Sequence, residues 1–215
     1  MRPQHPIFAE VRRMPQRTFS PTTRLSTVLC GLLMASVAVA QQSRFDIWKG
    51  NDLVGSILAK RIMDEDRTHY LMTSFSEFDI IWRQQVSSLV STEYRNGEVA
   101  WCHASMKVNG SLQDSSHFVL NDHAAQCFVH PDDRFLHEAP VRWTTARMYF
   151  EEPVGQRSIF VESVMKPCPL TYLGNGRYKL VLPDEKVNLY DYRDGRLEEI
   201  HVDRNLVDLI FRRDS

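Results

Sequence analysis

The side chains of this sequence with chemical reach are seven histidines and three cysteines beyond residue 40, together with a few clustered glutamates. His117, His123, His130 and His137 recur at close intervals, and with Cys127 they include His123-x3-Cys127-x2-His130, a spacing that resembles a metal-ligand set. On a strand, His123 and Cys127 share a face while His130 points away, and Asn121-Asp122 predicts a turn beside His123. Surface histidines on a hairpin are therefore expected, with no metal and no cofactor. Cys168 lies between Pro167 and Pro169, a stiff setting that can present a thiol, but a loop cysteine with no catalytic role is the simpler reading. Glu151-Glu152, with Glu162 ten residues on, supplies carboxylates for acid/base work, which needs two carboxyls held across a cleft. A solvated edge is the preferred reading of all three.

Other signatures fall short. Gly155-Gln156-Arg157-Ser158-Ile159 lacks the second glycine of a nucleophile elbow. No helix signal follows Gly174-Asn175-Gly176, so it is not a phosphate loop. Asn109-Gly110-Ser111 matches a glycosylation sequon but overlaps a good turn. No catalytic residue is assigned. The aromatic side chains are more suggestive, because Trp48, Trp82 and Trp101 sit on separate strands while Tyr190 and Tyr192 share one face of another. If the sheet curls, these five are the expected lumen residues, where a ligand would bind. A barrel of this size either fills itself with side chains or keeps a cavity, and both outcomes use the same residues.

The elements that hold these residues are strands. From Phe45 on, the hydrophobic period is two: Val86, Ser88, Val90, Thr92 and Tyr94 share one face, and Tyr178, Leu180 and Leu182 alternate in the same way. Asn96-Gly97, Asn109-Gly110 and Asp194-Gly195 each lie between strand-like runs and accept the positive φ angles of a type I′ hairpin turn; Asn175-Gly176 is a fourth candidate. Strands are expected near 44–49, 53–62, 68–75, 79–94 with a break near Arg83, 98–108, 111–120, 125–130, 158–165, 177–182, 186–193, 196–203 and 206–212. Alternation lapses between Pro131 and Pro153, where Thr144 to Phe150 fits a short helix capped by Thr144. The fold class is all-β: an antiparallel meander of about ten or more strands, curled into a barrel or half-barrel because wide twisted sheets close or split. The insertion near 131–153 covers it. One internal disulfide among Cys102, Cys127 and Cys168 is open to the chain in an oxidising compartment, but this register puts a strand between Cys102 and Cys127, roughly 9–10 Å apart, which disfavours that pair.

The N-terminus reads as an export signal rather than as fold. Arg12, Arg13, Arg17 and Arg24 precede an apolar stretch from Leu25 to Ala40 that ends in Ala38-Val39-Ala40, a small-x-small cleavage pattern. The stretch is shorter than the roughly 20 residues needed to span a bilayer, so a retained anchor is the weaker reading. Leu29 before Cys30 argues against a lipoprotein signal. Met14 makes a tidier start, with residues 1–13 an over-extended beginning. The organisation is therefore 1–40 signal peptide and 41–215 a single β domain, periplasmic or extracellular after cleavage. Loss of five arginines and one glutamate turns 26 basic and 27 acidic residues into 21 and 26, a net charge near −5. That balance excludes a nucleic-acid partner, since phosphate contacts need clustered Lys and Arg.

The order Phe45-Asp46-Ile47, Gly55-x-Ile57, Glu93-Tyr94 before Asn96-Gly97, Tyr149-Phe150-Glu151-Glu152-Pro153, then Gly176-Arg177-Tyr178-Lys179-Leu180 to Pro183 and Asn188-Leu189-Tyr190-Asp191-Tyr192-Arg193-Asp194-Gly195 resembles a family of uncharacterised exported bacterial proteins, a domain of unknown function. The resemblance covers nearly all of residues 44–212 and carries no catalytic residue. More distantly, the strand pattern resembles the curved half-barrels of periplasmic lipoprotein carriers, which hold acyl chains in an apolar concave face. Export, a curled antiparallel sheet, abundant strand aromatics and no recognisable catalytic constellation, with this resemblance adding weight, point to a non-catalytic protein binding an apolar or amphipathic small molecule, a lipid among them, and membrane association is expected to be at most peripheral. The alternative is an envelope interaction or assembly module with a filled core and no ligand; an enzyme is a third and weaker reading. The leader reading predicts that the protein recovered from its own compartment begins at Gln41, and an intact mass that retains residues 1–40 would refute it.

Overall fold

Asn-Gly and Asp-Gly dipeptides turn this chain back on itself at four hairpins. In a computed structural model of the protein, described over residues 39–79, 82–122, 124–138, 140–203 and 207–214, both turn residues have positive φ at Asn96-Gly97, Asn109-Gly110, Asn175-Gly176 and Asp194-Gly195. That is the type I′ geometry whose twist matches the strands it joins. The strands are β1 (Val39–Lys49), β2 (Asp52–Asp64), β3 (Arg67–Asp79), β4 (Arg83–Arg95), β5 (Glu98–Val108), β6 (Ser111–Asn121), β7 (Ala124–Val129), β8 (Asp133–His137), β9 (Ser158–Val161), β10 (Lys166–Gly174), β11 (Arg177–Val181), β12 (Val187–Arg193), β13 (Arg196–Val202) and β14 (Leu209–Arg213). Among the described residues one short helix, α1 (Thr145–Met148), interrupts them.

All fourteen strands join one antiparallel sheet in the order β8-β7-β6-β5-β4-β3-β2-β1-β14-β13-β12-β11-β10-β9. Every neighbour except the β1–β14 pair is also a sequence neighbour, so the sheet is a meander whose two ends are stitched by the first and last strands. The ladder leaves β8 and β9 as its two edges. Side chains meet across this gap: His137 on β8 meets the Phe160 ring on β9 at 5.3 Å, and Lys166 at the start of β10 lies over the Phe135 ring of β8 at 5.7 Å. The segment before α1 satisfies nearby backbone groups, with Val99 N–H donating to Val141 O at 2.8 Å and Phe160 N–H to Trp143 O at 2.9 Å. The architecture is barrel-like without a closed ladder.

Three differences from the expected elements have clear causes. The run expected at 158–165 ends at Val161 in a tight turn, where Met165 takes φ +53°. The next strand, β10, contains Pro167 and Pro169, which read as breakers in sequence. Leu170 N–H points toward the β9 side, donating to Arg157 O at 2.9 Å, so the nitrogens of Pro167 and Pro169 face away from the β9 ladder. β8 occupies part of the stretch expected to be irregular because the turn at residues 130–132 returns the chain antiparallel along β7. Cys102, Phe118 and Cys127 form one cross-strand row on β5, β6 and β7, and the three cysteines among the described residues, these two and Cys168, are free and buried. Gly55 lies beside a bulge of β1 on β2, and a Cβ there would stand 2.1 Å from Phe75 O, so only glycine allows β3 to approach.

Residues 144–152 plug one end of the curled sheet, and the strand tyrosines hold them. Tyr70 Oη donates to Glu151 Oε1 at 3.2 Å, Tyr94 to Thr144 Oγ1 at 3.0 Å, Tyr178 to Glu152 Oε1 at 2.8 Å and Tyr192 to the Met148 carbonyl at 2.7 Å. Glu151 is gripped further by Arg61 at 2.9 Å and by both Nε and Nη2 of Arg147 at 3.0 and 2.7 Å. Tyr149 packs edge-on against Phe45 at 5.3 Å. Burial raises the phenols: Tyr70, desolvated and beside Glu151, is pushed up to about 12, and Tyr94, Tyr178 and Tyr192 are also raised, first by desolvation. Because the unfolded chain loses these protons first, near the ordinary value of about 10, their contribution is complete below that pH and is lost as pH rises toward the folded values. Alkaline titration should therefore show tyrosinate absorbance rising together with loss of the sheet signal above about pH 10. Smooth ionisation within an intact fold would refute the plug contacts.

Candidate functional site

The plug fills one end of the lumen and leaves the other open. There the inward residues of the meander line two connected cavities of about 280 and 420 Å³ that share Ser88, Val90, Met106, Ser163 and Leu182. The strands place these residues by simple alternation, so β4 sends Val86, Ser88 and Val90 inward, while Thr92 and Tyr94 continue the same face into the plug. The two walls differ in chemistry. Strands β3 to β6 contribute hydroxyls at Ser74, Ser76, Ser88 and Ser116 interspersed with Met72, Val86, Val90, Ala104 and Met106, while β1, β2 and β12 to β14 contribute mainly apolar groups, among them Ile47, Ile57, Ile200, Val202 and Phe211. The hydroxyls are partly internally satisfied, with Ser74 and Ser88 Oγ 2.6 Å apart and Ser116 Oγ donating to the Glu162 carbonyl at 2.6 Å. Thr145, Tyr149, Val161 and Ser163 form the floor.

Glu162 sits directly behind that floor and is 1% exposed. Its carboxylate accepts from Thr92 Oγ1 at 3.2 Å, Thr145 N–H at 3.2 Å, Ala146 N–H at 3.0 Å and Thr145 Oγ1. It therefore caps α1, the role expected of Thr144, whose hydroxyl receives Tyr94 instead and makes no cap of its own. The solvated-edge reading of the three glutamates is corrected here. Glu162 is buried because the first turn of α1 offers it unpaired N–H groups, and Glu151 and Glu152 are tied to wall arginines and tyrosines.

The five aromatic residues expected in the lumen divide between its wall and the exterior. Tyr190 lines the cavity and Tyr192 is buried against the plug. The three tryptophans are elsewhere, which corrects their expected placement. Trp82 is 65% exposed in the link between β3 and β4. Trp101 stands opposite Glu93 and Val119 on the outer face, and Trp48 alternates with the buried Phe45 and Ile47. Wall residues missed in sequence, such as Ser88, Met106 and Asp114, sit on the periodic face, but only the topology says which end of the face stays open.

The chemical candidates do not converge on this lumen. Cys127 is buried in the sheet row while His130 is exposed, and His123 lies outside the described residues. The Cys168 thiol is buried and pushed up by desolvation and then by Asp184, with Lys166 partly offsetting. His103 and His117 stack at 4.3 Å on the outer face, where desolvation and then His103 lower His117. Among the described residues one group, Asp191, Glu199 and His201, lies within metal-ligand reach. Its carboxylates already take Arg177 at 2.7 Å and Arg212 at 2.7 Å, so its charge is largely met by the protein.

The chain belongs to a family known as a domain of unknown function, DUF6134, whose match spans residues 45–214. No functionally curated protein matches it. Among solved structures it is similar to a protein from Brucella abortus described as beta-barrel-like, of the domain of unknown function DUF1849. The two share 10% identity at a TM-score of 0.49, over 84% of this chain and 98% of that one. Within the site, Glu162→Gln would set an amide N–H₂ against backbone N–H donors, costing about 2–3 kcal/mol. A urea melt unchanged by that substitution would overturn the capping role.

Proposed function

We propose that this member of a family of unknown function is an exported, non-catalytic barrel-like protein that binds an apolar or amphipathic small molecule, lipids included, in the open end of its lumen. The observation that carries this reading is the pair of adjoining cavities lined mostly by apolar side chains, with serine hydroxyls interspersed along β3, β4 and β6. The second cavity, at about 420 Å³, falls in the range of roughly 300–1,000 Å³ typical of small-molecule sites, and the adjoining first, at about 280 Å³, extends it. The reading is supported by the plug, which fixes one end and leaves apolar side chains such as Ile200 and Phe211 lining an open one. Export rests on the leader read in sequence. Among the described residues no helix is long and apolar enough to cross a membrane.

A second reading, an interaction module of the envelope, is favoured by one feature. The outer face of β5, β6 and β8 presents Trp101, Val119 and Leu136, exposed by 36, 41 and 64%. Exposed apolar groups of this kind mark many protein interfaces.

Native mass spectrometry of the chain from its own compartment, with organic extraction, separates the two. A discrete adduct of lipid mass supports the carrier reading. A folded, empty protein that does not enhance a neutral apolar dye overturns it, and a stoichiometric protein partner would then favour the second. Met106 lies in both cavities and is 38% exposed. Met106→Trp should therefore obstruct the opening and weaken dye binding several-fold while leaving the thermal melt unchanged.

A further inference from the structure

The second cavity differs from the first in carrying charge. Asp114 on β6 pairs with Met106 on β5 and points inward with Ser116 and Phe118, so it is a carboxylate on the lumen wall rather than on the outer surface. Across the opening from it are Asp184 and Lys186, which neutralise each other through an ion pair of 2.5 Å. Among the described residues Asp114 has no ion-pair partner; the nearby basic group is the imidazole of His130. Partial burial pushes the Asp114 carboxyl up, and Ser115 N–H and His130 offset this only in part. A half-buried carboxylate without a cation is an unfavourable arrangement that an incoming positive group relieves.

Resting on the binding reading above, we propose that the lumen selects cationic amphiphiles: an alkyl chain lies against Ile200 and Phe211 in the first cavity, and an ammonium group sits beside Asp114 in the second. The geometry fits this order, because the shared residues Val90, Met106 and Leu182 join the aliphatic compartment to the charged one. Fatty acids and other anionic amphiphiles would meet Asp114 with like charge. The net charge near −5 of residues 41–215 also draws cations toward the protein.

The test is displacement of a neutral apolar dye by decyltrimethylammonium, decanol and decanoate, each below its micellar concentration at pH 7. The ammonium compound should compete about tenfold better than decanol, as expected of one partly desolvated charge pair, and decanoate should be weakest. Asp114→Asn should bring the ammonium compound and decanol to within about twofold. Lys186→Gln, which releases Asp184, should widen the preference. Decanoate competing as well as the ammonium compound, or a preference that survives Asp114→Asn, would overturn the proposal while leaving the binding reading intact. A folded protein that binds neither the dye nor any of the three competitors would overturn the binding reading itself.

Discussion

The hydrogen bonds from wall tyrosines to the plug are the constraint on which the rest of the structure depends. A sheet of this width must curl, but curling alone does not decide what fills the space it encloses. Tyr70, Tyr94, Tyr178 and Tyr192 come from four different strands, and each spends its hydroxyl on residues 144–152. A tyrosine buried this way supplies apolar area along its ring and one polar tip that must find a partner. The plug supplies all four partners, so its position is fixed from both sides of the barrel. Once it is fixed, one end of the lumen is core and the other is free.

Glu162 completes the arrangement from within. Its carboxylate holds the first turn of α1 against Thr92, while its carbonyl receives Ser116. A buried carboxylate of this kind costs desolvation, offset here by several hydrogen bonds to its charged form. The next residue, Ser163, faces the cavity. The floor of the lumen is thus set by the same group that caps the helix.

Much of this fold was legible in the sequence because its information is local. Asn96-Gly97 or Asp194-Gly195 names its own turn, and alternation such as Val86 to Tyr94 names its own strand. What could not be read depends on distant partners. Pro167 and Pro169 look like breakers until the side on which β9 pairs is known. Trp101 and Tyr190 have the same claim to a core, and only pairing across strands sends one outward and the other into the lumen. Glu162 carries no mark that separates it from a solvated glutamate, since its partners stand at Thr92 and Thr145. Asp114 lies one residue from Ser115, and strand parity alone makes it a lumen group.

In a closed barrel the number of strands and their stagger fix the diameter, because every ladder is continuous around the ring. Here the ring is completed between β8 and the β9–β10 hairpin by His137 against Phe160 and by Lys166 over Phe135. Contacts of that kind are broad in distance and do not impose a register. The girth of this molecule is therefore held at that seam by side-chain packing and by the segment before α1, whose backbone receives Val99 N–H on one side and Phe160 N–H on the other, rather than by the stagger of a continuous ladder.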